Sequence, residues 1–448
     1  MSLNWQGEDF EVLDWLLKQS FQISDKGLIT LTGLNPPSIE LINQIHLHFS
    51  IGATFLRHCK FCKYGKQTVQ EIIIEGKQRK LTYKPIKWYA HQTFAKQLCQ
   101  AGQLLTDYIS IISWLYLGAT VRHAMLDKYN KIQEKPEFAL VLLFVPVVCQ
   151  YFIFHPYYEK TDNNNPEKYL IVIPEILDLE EAAYQRWQSG NLAYKNYHVS
   201  SLGEAALITY SWHEVETQRS CERTCQVLLY EKFNKDSHQR SLIETRDITI
   251  NLNILNTYFL IKQFFQENQF DSYGKNRWIK VNFIRGIIAD NLVKGVPWWS
   301  DFWKILNQED IDGELAQQLI DNKEGLIAMI EQDKEMEDYK LFVQAFHEAL
   351  RRNYAKIQKR TQEGERARFD REYERIRGEL NRCYDEHSFS DFLADFLARA
   401  GFLSTLYDEW DSVLPFITES VPWQKARNIA LFALATYKPV SKNQLEGE

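Results

Sequence analysis

The chain has 448 residues, of which 45% are hydrophobic, 14% aromatic and 25% charged, and its formal net charge is −7. These values describe a globular protein with room for two or three domains and exclude a predominantly disordered chain. The longest apolar run, Ala139–Phe154, is too short for a membrane span and contains Pro146 and Gln150, and the N-terminus lacks the pattern of a secretory signal.

The first two thirds of the chain mix helical and strand patterns. In chain order these patterns predict a helix at Asn4–Gln19, strands at Leu28–Thr32, Val69–Ile74 and Leu81–Tyr83, a helix at His91–Leu117, strands at Ala139–Phe144, Tyr151–Phe154 and Tyr169–Ile173, and a helix beginning near Asp178. The Glu75-Gly76-Lys77 corner predicts that its two flanking strands form a hairpin.

The pattern changes after the acidic turn Gln308–Gly313. Helical spacing alone is found beyond it, at Ala328–Arg360, Glu363–Tyr384, Phe389–Leu406 and Trp423–Tyr437. We therefore predict an α+β fold, with a mixed N-terminal body at 1–306 and an all-α helical bundle at 307–448.

Positive charge is concentrated between Arg351 and Arg382, a stretch that contains eleven basic and six acidic residues. Spacings of three and four residues place basic side chains on common helix faces, an arrangement that can follow a phosphate backbone. The alternative is a solvated helix with internal Glu–Arg pairs. The candidate strand-binding residues are Arg352, Lys356, Arg368, Arg371 and Arg375.

A second basic cluster surrounds the predicted hairpin. Basic side chains bind phosphate and aromatic faces stack on unpaired bases, so a mixture of the two is typical of single-stranded RNA binding. A hairpin with solvated lysines is the alternative. The candidates are Arg57, Lys60, Lys63, Arg79 and Lys80, interleaved with Tyr64, Tyr83, Trp88 and Tyr89; Asn164, in the Asn163–Asn165 loop, either reads base edges or belongs to a surface turn.

Seven cysteines, an odd number scattered along a large chain, predict reduced thiols and a cytoplasmic protein. Cys59-x-x-Cys62 and Cys221-x-x-x-Cys225 together carry four thiols. Four thiolates suit a structural zinc ion, and unpaired thiols are the alternative.

Catalytic motifs are scarce. The sequence has no G-x-x-x-x-G-K-[ST], no G-x-S-x-G and no H-E-x-x-H, because His213-Glu214 lacks the second His. We expect His46 and His48 to lie on one face of a strand, with no partner cluster nearby. These motifs assign no catalytic residue, metal ligand or cofactor site. A metal-dependent nuclease that uses the His and Cys clusters is the alternative.

An ordered set of segments resembles the large subunit of a type I CRISPR effector complex (Cascade), of the cyanobacterial and myxobacterial type grouped with subtype I-B. The segments are Tyr89-Ala90-His91-Gln92, Gly118-Ala119-Thr120-Val121-Arg122-His123, Leu142–Val147, Ile171–Glu175, Ser201–Leu207, Trp410–Pro415 and Trp423–Arg427. The similarity spans roughly residues 28 to 437, and the specificity lies in the order of the segments.

The resemblance implies a non-catalytic protein that takes part in RNA-guided DNA recognition. It implies contacts with the 5′ handle of the CRISPR RNA, reading of the protospacer-adjacent motif (PAM) on duplex DNA, and stabilisation of the R-loop. The implied partners are CRISPR RNA, target double-stranded DNA, the backbone, handle-binding and small subunits, and a recruited helicase-nuclease or transposon targeting adaptor, without a membrane. A protein-only scaffold with basic helices is a third interpretation.

The C-terminal bundle resembles the Cascade small subunit and carries a further hypothesis. Codons for Lys323-Glu324-Gly325 can form a ribosome-binding sequence, which Leu326, Ile327 and Ala328 separate from Met329. In systems of the kind this chain resembles, the small subunit is translated from an internal start, so we predict a second, shorter product that begins at Met329. The alternative is that Lys323-Glu324-Gly325 is an ordinary surface tripeptide.

Overall fold

The computed structural model describes residues 4–31, 39–55, 62–74, 76–111, 114, 132–156, 168–189, 192–211, 222–235, 238–270, 279–300, 302, 314–332, 336–360, 369–418 and 420–437. The chain divides into two compact units. The first unit consists of Met1–Pro156, Thr161–Leu255 and Asn268–Val281, and the second consists mainly of Asn256–Glu267 and Asn282–Glu448. The predicted border at 306–307 lies outside the described residues.

The first unit combines a central sheet with small helices and hairpins. Its helices are α1 (Asp9–Ser20), α2 (Leu41–Ala53), α3 (Ala95–Leu98), α4 (Pro136–Leu143), α5 (Val145–Val148), α6 (Leu179–Ser189), α7 (Leu202–Tyr210) and the first turn of α8 (Leu252–Phe264), with 3₁₀ turns at Ala90–Thr93 and Tyr194–Tyr197. Its strands are β1 (Phe21–Ile23), β2 (Ile29–Leu31), β3 (Cys62–Tyr64), β4 (Thr68–Ile74), β5 (Lys77–Tyr83), β6 (Ile86–Tyr89), β7 (Cys99–Gln100), β8 (Gln103–Leu104), β9 (Ile109–Ser110), β10 (Gln133–Glu134), β11 (Gln150–Phe154), β12 (Lys168–Pro174), β13 (His198–Val199), β14 (Arg223–Lys235), β15 (His238–Ile250), β16 (Gln269–Phe270) and β17 (Ile279–Lys280).

The central sheet has five strands in the order β13-β11-β12-β14-β15. β11 is parallel to β13, and the other neighbours are antiparallel. Every residue of β11 is buried, as expected of a strand that is covered on both faces. The strands predicted at Tyr151–Phe154 and Tyr169–Ile173 are confirmed.

The predicted hairpin is also confirmed, because β4 and β5 pair antiparallel from Thr68↔Tyr83 to Ile74↔Lys77. Gly76 has a φ of 74°, a conformation that glycine adopts without the steric penalty of a side chain. β4 and β5 form a two-stranded sheet of their own. The hairpin therefore presents exposed side chains on both strands.

Two elements predicted in the first unit are wrong. His91–Leu117, expected as a helix, instead contains α3 and the β7–β8 hairpin, whose turn uses positive φ at Ala101 and Gly102. Ala139–Phe144, expected as a strand, lies largely in α4, which Pro136 begins at a position that proline favours.

The prediction for the two histidines is also wrong, because His46 and His48 lie on a helix, α2, and point in different directions. His46 Nε2 lies 3.2 Å from the carbonyl oxygen of Tyr151, and His48 Nε2 lies 2.9 Å from that of Lys84. His48 Nδ1 also accepts a hydrogen bond from the Ile29 N–H. Both imidazoles are buried and hold neighbouring chain segments together.

The second unit is helical throughout its described residues. Its helices are the remainder of α8, α9 (Phe283–Val293), α10 (Glu314–Asp321), α11 (Lys323–Gln332), α12 (Glu337–Arg360), α13 (Phe369–Arg382), α14 (Glu386–Ala400), α15 (Ser404–Asp408), α16 (Trp410–Ile417) and α17 (Trp423–Thr436). The α+β prediction is thereby confirmed. The single helix expected at Ala328–Arg360 is instead two, α11 and α12.

α12 is the centre of this bundle and packs against α14, α15, α16 and α17. Its apolar face includes Phe342 and Phe346, both fully buried, whose rings stack on Phe416 and Phe396. Burial of such rings is the main source of stability for a helix of this length. The basic residues of α12 consequently lie on a rigid support.

Candidate nucleic-acid interface

In the described part of the N-terminal basic cluster, a lysine lies opposite a tryptophan in a strand ladder. Lys63 on β3 and Trp88 on β6 are register partners in an antiparallel ladder, and both side chains are exposed. Directly opposite residues of such a pair lie on the same face of the sheet. Tyr64 beside them is also partly exposed. An ammonium group beside an indole ring can bind phosphate and stack on a base at one position.

The other two aromatic residues of this cluster are structural. Tyr83 and Tyr89 are almost fully buried, and their hydroxyl groups donate to the carbonyl oxygens of Lys26 and Gln22 at 3.0 and 3.2 Å. Their rings therefore cannot reach a nucleic acid. Only Tyr64 and Trp88, among the four aromatic residues that interleave with the lysines, remain available.

The hairpin places Arg79 and Lys80 on opposite faces. Lys80 is exposed and lies 3.5 Å from the carboxylate of Glu71, its register partner. Arg79 is half-buried and lies opposite Ile72. Exposed ion pairs are weak, so Lys80 can exchange Glu71 for a phosphate at little cost. The candidates Arg57, Lys60 and Asn164 lie outside the described residues.

In the second unit, Arg352 and Lys356 are held close to the segment that follows α14. Arg352 Nη2 lies 3.2 Å from the carboxylate of Glu348, and Lys356 Nζ donates to the carbonyl oxygen of Arg399 at 2.6 Å. α14 ends at Gly401, whose φ is 85°, and Lys356 Nζ lies beside it. Both cations are thus positioned before any ligand binds.

Two exposed aromatic residues lie close by: Phe402 is in this segment, and Tyr407 is in α15. Their side chains are 64% and 75% exposed, and their ring centroids are 5.6 Å apart. Their spacing in the sequence does not separate an exposed pair from a core pair, so neither residue was predicted as part of the site. Exposed rings close to cations form the kind of surface that binds single-stranded nucleic acid.

The basic stripe of α13 is largely paired within its own helix. Arg375 binds Glu372 on one side and Glu379 on the other, at 2.5–2.9 Å, and these hydrogen bonds raise the pKa of its guanidinium. Arg377 lies 2.6 Å from Glu374. Arg371 is exposed, and Arg368 lies outside the described residues. Internal Glu–Arg pairing, the alternative interpretation, thus holds for Arg375 and Arg377.

The cysteine pairs are described only in part. Cys62 and Cys225 are buried and neither forms a disulfide bond, and burial raises the pKa of Cys225 to about 12. Cys59 and Cys221 lie outside the described residues. Within the described ranges, no three His, Cys, Asp or Glu side chains are arranged to hold a metal ion.

Cations beside exposed aromatic rings in both units thus define a chain with candidate nucleic-acid-binding surfaces on an α+β body and on a helical bundle. Residues 1–143 match the DevT N-terminal domain family, and residues 331–448 match the DevT C-terminal domain family. The CRISPR-associated protein Cas8a1/Csx13 of Myxococcus xanthus (strain DK1622) is 24% identical over 469 residues, which cover 97% of this chain and 78% of that protein.

These matches support a CRISPR-associated large subunit, in agreement with the coarser part of the sequence resemblance. Both ends of the chain take part in the similarity. Of the helices that the structure describes, none is long and apolar enough to cross a membrane.

Proposed function

We propose that this chain is the non-catalytic large subunit of a type I CRISPR RNA-guided DNA-targeting complex of the I-B-like type. The observation that carries the proposal is the similarity to a CRISPR-associated protein along 97% of the chain. In this complex the chain binds the 5′ handle of the CRISPR RNA, reads the PAM on duplex DNA and stabilises the R-loop. DNA cleavage or transposition is left to recruited partners, and the complex works in the cytoplasm.

The described contacts support a division of labour between the two units. In the first unit, Lys63, Trp88 and Lys80 suit the RNA handle or the phosphates next to the PAM, since they combine exposed charge with a stacking ring. In the second unit, Lys356, Arg371 and the Phe402–Tyr407 pair suit an unpaired DNA strand. Neither assignment requires bond-making chemistry from this chain.

The experiment is to purify the tagged protein from its native locus and to sequence the RNA that accompanies it. Uniform repeat-derived RNA carrying spacer sequence is expected. Its absence from a preparation in which the locus is demonstrably transcribed would contradict the proposal. A nuclease that uses the His and Cys clusters would instead contain stoichiometric metal and lose its activity with a chelator, and a protein-only scaffold would be free of nucleic acid.

A further inference from the structure

Large apolar side chains are exposed around the start of α6. Such residues are normal when scattered singly, but a group of them marks an interaction surface. Tyr and Trp are enriched at the centres of protein interfaces, and Tyr184 and Trp187 have ring centroids 6.5 Å apart. The members of this apolar patch are Ile176 (38% exposed), Leu177 (57%), Leu179 (55%), Tyr184 (59%) and Trp187 (49%).

A cavity of about 200 Å³ lies beside the apolar patch, entirely within the first unit. The apolar part of its lining includes Val147, Val148, Ile176, Leu177 and Leu179. The volume is that of one or two large side chains and is below the range typical of cofactor sites. The cavity therefore suits an anchoring side chain from another polypeptide.

The walls of the cavity are fixed by polar contacts. The guanidinium of Arg186, on α6, donates to the carbonyl oxygens of Val148 and Cys149 at 2.5 and 2.7 Å. Arg223 on β14 forms an ion pair with Glu181 at 2.6 Å. The first contact holds α6 against the end of α5 and the residue before β11, and the second holds it against β14, so a partner enters a cavity that already exists. Such preorganisation reduces the entropy lost on binding.

Acidic groups surround the apolar patch. Glu175, Asp178 and Glu180 are exposed, while Glu181 is neutralised by Arg223. Asp178 also accepts hydrogen bonds from the backbone N–H groups of Glu180 and Glu181, both at 2.9 Å, which fixes its position. This acidic rim repels phosphate groups and attracts lysine and arginine side chains. It therefore distinguishes this surface from the candidate nucleic-acid interface.

We propose that the cavity and the apolar patch dock a polypeptide segment of another protein, which inserts one large apolar side chain into the cavity and places Lys or Arg residues against the acidic rim. Charge complementarity and a side-chain-sized cavity carry this choice of occupant. The inference rests on this surface and is independent of which nucleic acid the chain binds.

The experiment places a photoreactive benzoylphenylalanine at position 187 in the full chain expressed from its native locus. Mass spectrometry of the crosslinked product is expected to identify a peptide of another protein with an apolar residue flanked by Lys or Arg. The same probe at Phe138, an exposed aromatic position on α4 outside the cavity, is the matched control and should not capture that peptide. Crosslinks to nucleic acid alone, to this chain alone, or to nothing would overturn the proposal.

A synthetic copy of the captured peptide then allows affinity to be measured against the purified full chain. Leu177→Asp should weaken its binding at least tenfold, whereas Phe138→Ala should leave it unchanged. Glu180→Lys should weaken binding severalfold, and a peptide with the facing Lys changed to Glu should restore it. Loss of binding without this charge-swap rescue would contradict the role of the acidic rim. RNA sequencing of the same preparations separates this result from the outcome of the proposed function.

Discussion

The carboxylate of Glu348 accepts a hydrogen bond from the backbone N–H of Thr405 at 2.9 Å, and so joins the middle of α12 to the first turn of α15. The same carboxylate accepts from the N–H and the hydroxyl of Ser404 at 2.9 and 3.0 Å. Leu403, the N-cap residue of α15, offers no side-chain acceptor. Glu348 therefore caps a helix to which it is not connected in sequence.

Glu348→Gln should reduce the free energy of unfolding at pH 7 by about 2 kcal/mol, since hydrogen bonds to a charged acceptor are lost. Burial alone would raise the pKa of the Glu348 carboxyl, but the hydrogen bonds from Thr405 and Ser404 outweigh it and lower the pKa to about 2. The stabilisation is thus present above about pH 4.5, the usual Glu pKa, and is lost as the pH falls through about 2. Urea denaturation of both proteins at several pH values tests this.

Glu374→Gln is the matched control for this variant, because it removes an exposed ion pair with Arg377. Its effect should stay below about 1 kcal/mol. Equal effects of the two substitutions would contradict the capping role of Glu348.

His91 is buried among aromatic rings, and no residue in the described part of the chain hydrogen-bonds to either of its ring nitrogens. Desolvation lowers its pKa to about 3. The unfolded chain therefore binds this proton at a higher pH than the folded chain does, and stability falls by up to about 1.4 kcal/mol per pH unit as the pH decreases below about 6.5.

His91→Leu, which is similar in volume, should raise stability by about 1 kcal/mol or more at pH 7, because an unsatisfied polar group is removed. The substitution should also make the free energy of unfolding depend less on pH under acidic conditions. His387→Gln, at an exposed position, should change neither quantity. Thermal unfolding measured from pH 4 to 7.5 compares the three proteins, and an unaltered acid slope in His91→Leu would show that His91 does not produce it.

Combined neutralisation of Lys356, Lys359 and Arg371, all exposed, should weaken binding of single-stranded DNA. Each cation releases counterions on binding, so the slope of log K against log salt should become shallower by about 2. Fluorescence anisotropy over a salt series measures both effects. Lys294→Gln, an exposed lysine paired with Asp290, is the control. An unchanged slope would remove these residues from the interface.

Arg375→Gln should act differently from those three substitutions. Its guanidinium already binds two carboxylates, so the variant should lower the stability of the bundle more than it changes the salt slope. The comparison separates structural from ligand-binding basic residues on the same stripe, and a slope change equal to that of Arg371→Gln would place Arg375 with the ligand-binding group.

Trp88→Ala should lower the affinity for handle RNA by roughly tenfold, because loss of one stacked base changes binding by about 1–3 kcal/mol. Lys63→Gln should lower the RNA affinity less than Trp88→Ala does. It should also reduce the slope of log K against log salt by the amount expected for about one phosphate contact. Lys96→Gln, on the exposed side of α3, should change neither. Filter binding with repeat-derived RNA tests the set, and wild-type affinity in Trp88→Ala would exclude stacking at this site.

Met329→Leu should abolish the shorter product predicted to begin at this codon, while full-length protein persists. Met329 is buried in α11, and leucine of similar volume should preserve the fold. Met336→Leu, also at a buried site, is the matched control and should retain the short band. An immunoblot against a C-terminal tag shows both products. Persistence of the short band in Met329→Leu would place its start elsewhere.

The fold was predictable where periodicity was strong and local. Side chains of β4 and β5 point alternately to the two faces of the hairpin, on either side of a glycine corner. The spacing of apolar residues in α12 and α17 is helical. Ala139–Phe144 is apolar at every position and has no period, so strand and helix could not be separated without the Pro136 start. His91 looked helical in its local sequence, but tertiary packing against Phe21 and Phe94 determines its 3₁₀ turn.

The residue types of the candidate site could be predicted from the sequence, but their arrangement could not. Exposed cations were found at Lys63 and Lys356, but their neighbours are set by strand register and by helix packing. Arg375 pairs with carboxylates three and four residues away, and the same spacings also fit a phosphate-binding face. The sequence alone therefore cannot distinguish ion pairing within the helix from phosphate binding. Phe402 and Tyr407 were missed because exposure is a property of the assembled bundle.

α12 carries Phe342 and Phe346 on its buried side and Lys356 and Lys359 on its exposed side. The hydrophobic core and the proposed ligand contacts thus occupy opposite sides of one helix. In related chains, substitutions along α12 should therefore fall into two classes that alternate with a period of about 3.6 residues. Substitutions at buried positions should conserve side-chain volume. Substitutions at exposed positions should conserve positive charge but not side-chain shape. A single helix would in this way record two evolutionary constraints that vary independently.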